Sequence, residues 1–281
     1  MPLYSVTFPA QQDDLFDVMD AFEEALSVSG FEEPSSGDWF AELHFESKDE
    51  AEAGSRKAEG LYAVQTNIAE LPDINWVERG LESLPVVEAG RFLIYGSHHD
   101  VSPRTDQIPL LIEAGQAFGT GHHGTTRGCL IAIQEHLKST PVHSALDLGC
   151  GTGILAAGFA RLSPAPILAT DIDPIAIEVA RDVARGNALH TRIRFAVGPG
   201  FETREISQAR PFDLVIANIL ARPLVQLAPK MLTHVALGGT VILSGLLIEQ
   251  ERRVLNAYLD QGFKFTRRYH LDEWSTLVLR K

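Results

Sequence analysis

Cysteine is nearly absent: 281 residues carry two, Cys129 and Cys150, at no metal-ligand spacing. That excludes a thiolate zinc centre and a disulfide framework. Long apolar runs are missing too, none reaching eighteen residues, and Met1-Pro2-Leu3-Tyr4 opens without the basic-then-apolar order of a secretory leader. A cytoplasmic protein without a membrane span is expected. His98-His99 has no cysteine or carboxylate at ligand spacing, and adjacent side chains diverge on extended backbone, so no metal site is expected. Basic residues are scarce at one end. Residues 1–75 hold 17 Asp and Glu against Lys48, Arg56 and Lys57, a charge of −14; residues 76–281 hold 20 acids and 21 bases, a charge of +1, and the sum is the net −13. An acidic N-terminal quarter repels nucleic acid and attracts a basic protein.

The length exceeds what one core usually organises, so a large domain with a smaller companion is expected. Residues 3–8 alternate as a half-buried strand, and Asp14 to Val28 places Leu15, Val18, Met19, Phe22, Ala25 and Leu26 at helical spacing, with Gly30 ending the helix. Phe31 to Phe45 reads as a hairpin turning at Pro34-Ser35-Ser36-Gly37. Ser47 to Glu59 reads as a second helix weakened by Gly54, and Leu61 to Thr66 as a closing strand. The order β-α-β-β-α-β predicts a small ferredoxin-like α+β domain over 1–75. Residues 76–108 read as a linker with short strands, one of them Arg91 to Gly96, and 109–281 as the main domain.

What the chain does have in concentration is glycine, at Ala145-Leu146-Asp147-Leu148-Gly149-Cys150-Gly151-Thr152-Gly153-Ile154. A buried strand enters an acid and three alternating glycines, then an alanine-rich helix begins. Such a turn lets backbone approach a ligand closely, and the helix start offers unpaired N–H groups to a negative group. Gly151-x-Gly153-x-x-Ala156 fits the loose dinucleotide pattern, so a nicotinamide enzyme competes for this reading. Ile167 to Asp171 reads as the second strand, its terminal carboxylate placed for ribose hydroxyls. Ribose occurs in both ligand classes, so Asp171 alone does not choose between them.

Upstream, Ala117-Phe118-Gly119-Thr120-Gly121-His122-His123-Gly124-Thr125-Thr126 is too rich in glycine and hydroxyls for a core element. A helix carrying Leu130, Ile131, Ile133 and Leu137 follows, capped by Thr125 or Thr126, and the glycine loop would form a lid or wall over a cofactor. Downstream, Pro174 opens a helix with Ile175, Ile177, Val179, Ala180 and Val183 inward. Strands follow at 193–197, 212–217 and 240–244, helices at 223–232 and 249–261, and a final hairpin at 263–270 and 275–279.

Phe118 to Thr126, Asp147 to Gly153 and Ala217-Asn218-Ile219-Leu220-Ala221 together resemble the PrmA family of bacterial ribosomal protein methyltransferases. The resemblance implies a seven-stranded Rossmann-like α/β domain of the class I methyltransferases, whose last strand is antiparallel, behind the ferredoxin-like domain. It implies S-adenosyl-L-methionine as cofactor and the large-subunit protein L-eleven as the basic protein substrate, gripped by the N-terminal domain, with no direct nucleic acid contact. By motif, Thr126 closes on the cofactor, Gly149 lies beneath its methionine part with Gly151 and Gly153 in the same turn, Asp171 takes the ribose, and Asn218 lies beside the methyl-transfer position. One departure is Gly124, where the family usually has proline, a change that loosens the loop entropically.

Asn-Ile-Leu-Ala lacks the aromatic ring of the N-P-P-Y string that flanks planar amides and bases, which favours an aliphatic amine as substrate. Asn218 is therefore expected to act as catalytic orienting acceptor, with no dedicated general base. The alternatives are a methyltransferase of the same fold acting on another basic protein, a nicotinamide oxidoreductase, and a cofactor-binding module without activity.

Overall fold

The computed structural model describes residues 3–10, 18, 21–22, 24–33, 37–71, 86–112 and 124–281. The chain divides into two compact units, Met1–Trp76 and Val77–Lys281.

Among the described residues of the first unit the elements are, in chain order, β1 (Leu3–Pro9), β2 (Ser27–Glu32), β3 (Trp39–Phe45), α1 (Lys48–Tyr62) and β4 (Asn67–Leu71), and the expected helix from Asp14 lies largely outside them. The sheet order is β2-β3-β1-β4 and every pairing is antiparallel. Val6, Phe8, Ala41, Leu43 and Phe45 alternate onto one face and pack with Val18, Phe22, Ala51 and Ala58. Three expectations are corrected. Gly30 does not end a helix but lies inside β2 opposite Ala41, because Val28 and Phe31 gain cross-strand partners in Leu43 and Phe40. Gly54 does not weaken α1: a side chain there would run into the Phe45 ring, so glycine is what lets the helix seat on the sheet. That helix is held at its start by a reciprocal Ser47–Glu50 capping box, and it continues to Tyr62, which displaces the closing strand from 61–66 to 67–71.

The second unit opens with β5 (Val87–Ala89), β6 (Phe92–Tyr95) and β7 (Ile108–Leu111), a three-stranded sheet. Its Phe92, Ile94 and Leu110 pack in one core with Leu130, Ile133 and Phe159. Then come α2 (Gly124–Ser139), β8 (Ala145–Leu148), α3 (Ile154–Leu162), β9 (Ile167–Asp171), α4 (Pro174–Gly186), β10 (Ile193–Val197), α5 (Arg204–Ala209), β11 (Phe212–Asn218), α6 (Ala221–His234), β12 (Val235–Leu247), α7 (Glu251–Leu259), β13 (Lys264–Leu271) and β14 (Trp274–Arg280).

The seven-stranded sheet runs β10-β9-β8-β11-β12-β14-β13. Pairs among the first five strands are parallel, while β14 is antiparallel to both neighbours. Burial on both faces explains the near-continuous apolar runs. Ala145, Ala169, Ile216 and Ile242 face the core shared with Leu130, Leu155 and Ile177, and Leu146, Leu168, Val215 and Leu243 face the one shared with Leu224, Met231 and Val254. On α4, Ile177, Ala180 and Val183 are buried as expected, but Ile175 is exposed in the first turn. Among the described residues no helix is long and apolar enough to cross a membrane.

Candidate functional site

Three adjacent parallel strands end level with one another. Leu148 pairs with Thr170 and Asp147 with Ile216, so continuing each register by one or two residues sets Asp171, Gly149 and Asn218 in one row at the carboxyl edge of the sheet. With strands about 4.8 Å apart, Asp171 and Asn218 flank Gly149 at about 10 Å from each other. Ligands of open α/β sheets bind at this edge, where the strand order reverses.

Gly149, Gly151 and Gly153 all adopt the left-handed backbone, at φ 72°, 51° and 73°. The turn spends its amides inside the fold: Gly149 and Cys150 N–H donate to the Thr170 carbonyl at 2.8 and 3.0 Å, and Gly153 N–H to the Cys150 carbonyl at 2.8 Å. Gly151 N–H donates to Asp171 Oδ2 at 2.9 Å, while Asp171 Oδ1 accepts from Asp173 N–H at 3.1 Å. A carboxylate has lone pairs beyond these two bonds, so Asp171 keeps capacity for hydroxyl donors. Asp173 caps α4 through Ile175 N–H, and Pro174 takes the first helical position as its sequence predicts.

The start of α3 differs from expectation. Its negative group is the chain's own Asp147, fully buried, whose Oδ2 accepts Ala156 N–H at 3.0 Å. Burial, with Asp171 nearby, pushes this carboxyl up to about 7, against the lowering effect of the Ala156 bond. One of the helix-start donors a pyrophosphate would use, Ala156 N–H, is thus already taken by a buried acidic side chain, which speaks against the dinucleotide reading.

Thr125 and Thr126 do not cap α2; both are buried inside its first turn. Thr126 Oγ1 and Asn218 Oδ1 are buried without a hydrogen-bond partner among the described residues. Asn218 Nδ2 faces Thr125 Oγ1 at 3.5 Å. In the sequence Thr125 reads only as a cap, because the partner that its hydroxyl faces lies 93 residues away. Gly124 is buried against the β13–β14 turn, where a Cβ would stand 2.6 Å from the Leu271 carbonyl, so packing holds this position despite glycine's freedom. The expected lid, Phe118 to His123, lies outside the described residues. His98 and His99 do not diverge: they sit in a turn with ring centroids 4.0 Å apart. Among the described residues no three His, Cys, Asp or Glu side chains group as metal ligands would.

A seven-stranded mixed sheet with its last sequential strand inserted antiparallel, a glycine turn after the first strand and a carboxylate ending the second define an α/β methyltransferase. Residues 11–281 match the family described as Ribosomal protein L11 methyltransferase (PrmA). A Rhizobium leguminosarum bv. trifolii protein named Ribosomal protein L11 methyltransferase is 44% identical across 98% of this chain and 97% of its own length. Its Rhizobium meliloti namesake is 43% identical across 99% and 98%. The crystal structure of ribosomal protein L11 methylase from Lactobacillus delbrueckii subsp. bulgaricus superposes with a TM-score of 0.63 at 28% identity, covering 70% of this chain and 98% of that one. The chain belongs to the PrmA family of ribosomal protein L11 methyltransferases.

Proposed function

We propose that this protein transfers methyl groups from S-adenosyl-L-methionine to amino groups of ribosomal protein L11, at lysine side chains, the N-terminal amine or both. The observation that carries this reading is two buried acceptor-capable atoms without a partner among the described residues, Asn218 Oδ1 at the end of the strand next to the Gly149 turn and Thr126 Oγ1 in the first turn of α2, with Asp171 ending the strand on the other side of that turn. Buried polar atoms are rarely left without partners, and a ligand with amine and hydroxyl groups would satisfy them. Thr126, Gly149, Gly151, Gly153 and Asp171 would hold the cofactor, which supplies an electrophilic methyl group on a sulfonium.

The chain's own task is to present a neutral, aligned amine. A lysine with pKa about 10.4 is neutral to only about one part in a thousand near pH 7.4. Desolvation at the sheet edge lowers that pKa, and Asn218 Oδ1 accepts a hydrogen bond from the amine so that its lone pair faces the methyl group. Asn218 thereby serves as the catalytic orienting acceptor. No proton needs to reach the leaving group, so the site requires no dedicated acid.

We read the N-terminal unit as a ferredoxin-like substrate-recognition domain over 1–75, joined through 76–108 to a catalytic domain over 109–281. The strand order β2-β3-β1-β4 and the −14 charge support that assignment. An acidic surface suits a basic ribosomal protein in the cytoplasm and disfavours direct nucleic acid contact. Intact-mass analysis of L11 from unmethylated ribosomes, incubated with this protein and S-adenosylmethionine, should show gains in methyl-sized steps. No gain with cofactor binding confirmed separately would move the substrate to another basic protein.

A further inference from the structure

Strand β12 carries one residue too many at the level of the site. Leu243 pairs with Leu277 and Leu246 with Ser275, so three steps along β12 match two along β14, a bulge at Ser244–Gly245. The bulge stands beside Asn218, which pairs directly with Ser244 on the parallel side.

Each bulge residue makes a contact that bears on Asn218. Ser244 is fully buried, and its hydroxyl lies 2.8 Å from Thr276 Oγ1, 3.2 Å from the Ser275 carbonyl and 3.4 Å from the Thr125 carbonyl. With one proton to give, it joins the first turn of α2 to β14 when it donates to the Thr125 carbonyl and accepts from Thr276 Oγ1, and it is in that turn that Thr125 Oγ1 faces Asn218 Nδ2 at 3.5 Å. Gly128, one turn on, has no side chain because Thr276 fills the space. Gly245 adopts φ 84°, and a Cβ there would stand 2.9 Å from Ile219 N and still closer to the Ile219 carbonyl oxygen. The main chain after Asn218 therefore rests on Gly245, and the Ile219 side chain fills the space over Gly149.

We infer that the Ser244–Gly245 bulge is the positioning element of methyl transfer: Gly245 sets the height of the Asn218–Ile219 backbone, and Ser244 holds the Thr125 turn against the Asn218 amide so that Oδ1 stays free for the substrate amine. The inference rests on the orienting role proposed for Asn218. Ser244 is a positioning residue, touching neither cofactor nor substrate itself. A bulge re-aims a side chain where a regular ladder could not, which explains an extra residue at this one level.

The experiment pairs a spectroscopic readout with kinetics on the full chain. In Ser244→Ala, the side-chain amide signals of Asn218, assigned by their loss in Asn218→Ala, should shift and exchange faster with solvent while the melting temperature changes little. Turnover on L11 should fall on the order of 10- to 100-fold, by more than KM for S-adenosylmethionine rises. Adding Ser244→Ala to Asn218→Ala should cause no further loss, since both act through one amide. Unmoved Asn218 signals in Ser244→Ala, or additive losses in the double variant, overturn the inference. Moved signals in a protein whose wild type methylates no L11 would uphold the positioning and sink the proposed function instead. Gly245→Ala should act more severely; because it strains the backbone, Ser244→Ala is the deciding variant.

Discussion

Asp171 Oδ2 accepts the backbone N–H of Gly151 at 2.9 Å, so the residue expected to take ribose hydroxyls also braces the glycine turn. Replacing it removes both supports at once. Asp171→Ala should weaken S-adenosylmethionine binding by about 1.5–3 kcal/mol, roughly 10- to 150-fold, as read by calorimetric titration. Affinity equal to wild type would remove Asp171 from the cofactor site.

Gly149 offers a second test. It holds φ 72°, and a Cβ would stand 2.5 Å from Ile219 Cγ2. Gly149→Ala should lose about 1–3 kcal/mol of stability in urea denaturation, from backbone strain and overpacking together. Combining it with Ile219→Ala relieves only the second cause, so the double variant should recover part of the loss. Strictly additive effects would show that the two residues do not press on each other.

The buried Asp147 carboxyl makes stability depend on pH. Burial raises it to about 7 in the fold, against about 3.9 in the unfolded chain. Between those values the folded state holds a proton that the unfolded state has released, so this group lowers stability as pH rises from about 4 to about 7, with no further change above. Asp147→Asn stays neutral throughout. Its stability difference from wild type should therefore shift in its favour across that window, measured by denaturation at pH 4.5, 6 and 8; a difference independent of pH would mean that Asp147 ionises in the fold as it does in the open chain.

Removing the acidic unit separates recognition from chemistry. A chain of residues 77–281 contains the glycine turn, Asp171, Thr126 and Asn218, and should bind S-adenosylmethionine as the full chain does. Its methylation of L11 should be lost. Efficient methylation by the shortened chain would reassign substrate recognition to the larger unit.

Local chemistry made the larger unit legible in the sequence. The Asp147–Gly153 string spells a strand, a turn needing positive φ and a helix start, because glycine alone enters that backbone region cheaply. Pro174 after Asp173 likewise spells its helix start, and the alternation of apolar strands and helices spells the parallel sheet. The family motifs named Asn218 and Thr126 for the same reason: each lies in a short contiguous string.

Tertiary structure decided what contiguous strings do not encode. Gly30 and Gly54 read as breakers in isolation, yet one is a paired strand residue and the other a seat for Phe45, since packing partners distant in the chain outweigh propensities of a fraction of a kcal/mol to about 1 kcal/mol. The start of α3 read as an anion site, but Asp147 fills it, a fact visible only once the helix folds back over the strand that carries the carboxyl. The row of Asp171, Gly149, Asn218 and Ser244 joins residues up to 95 apart, and strand register alone sets them level. Sequence carried the identity of each group; the hydrogen-bonded sheet, by making neighbours of strands far apart in the chain, carried their common position.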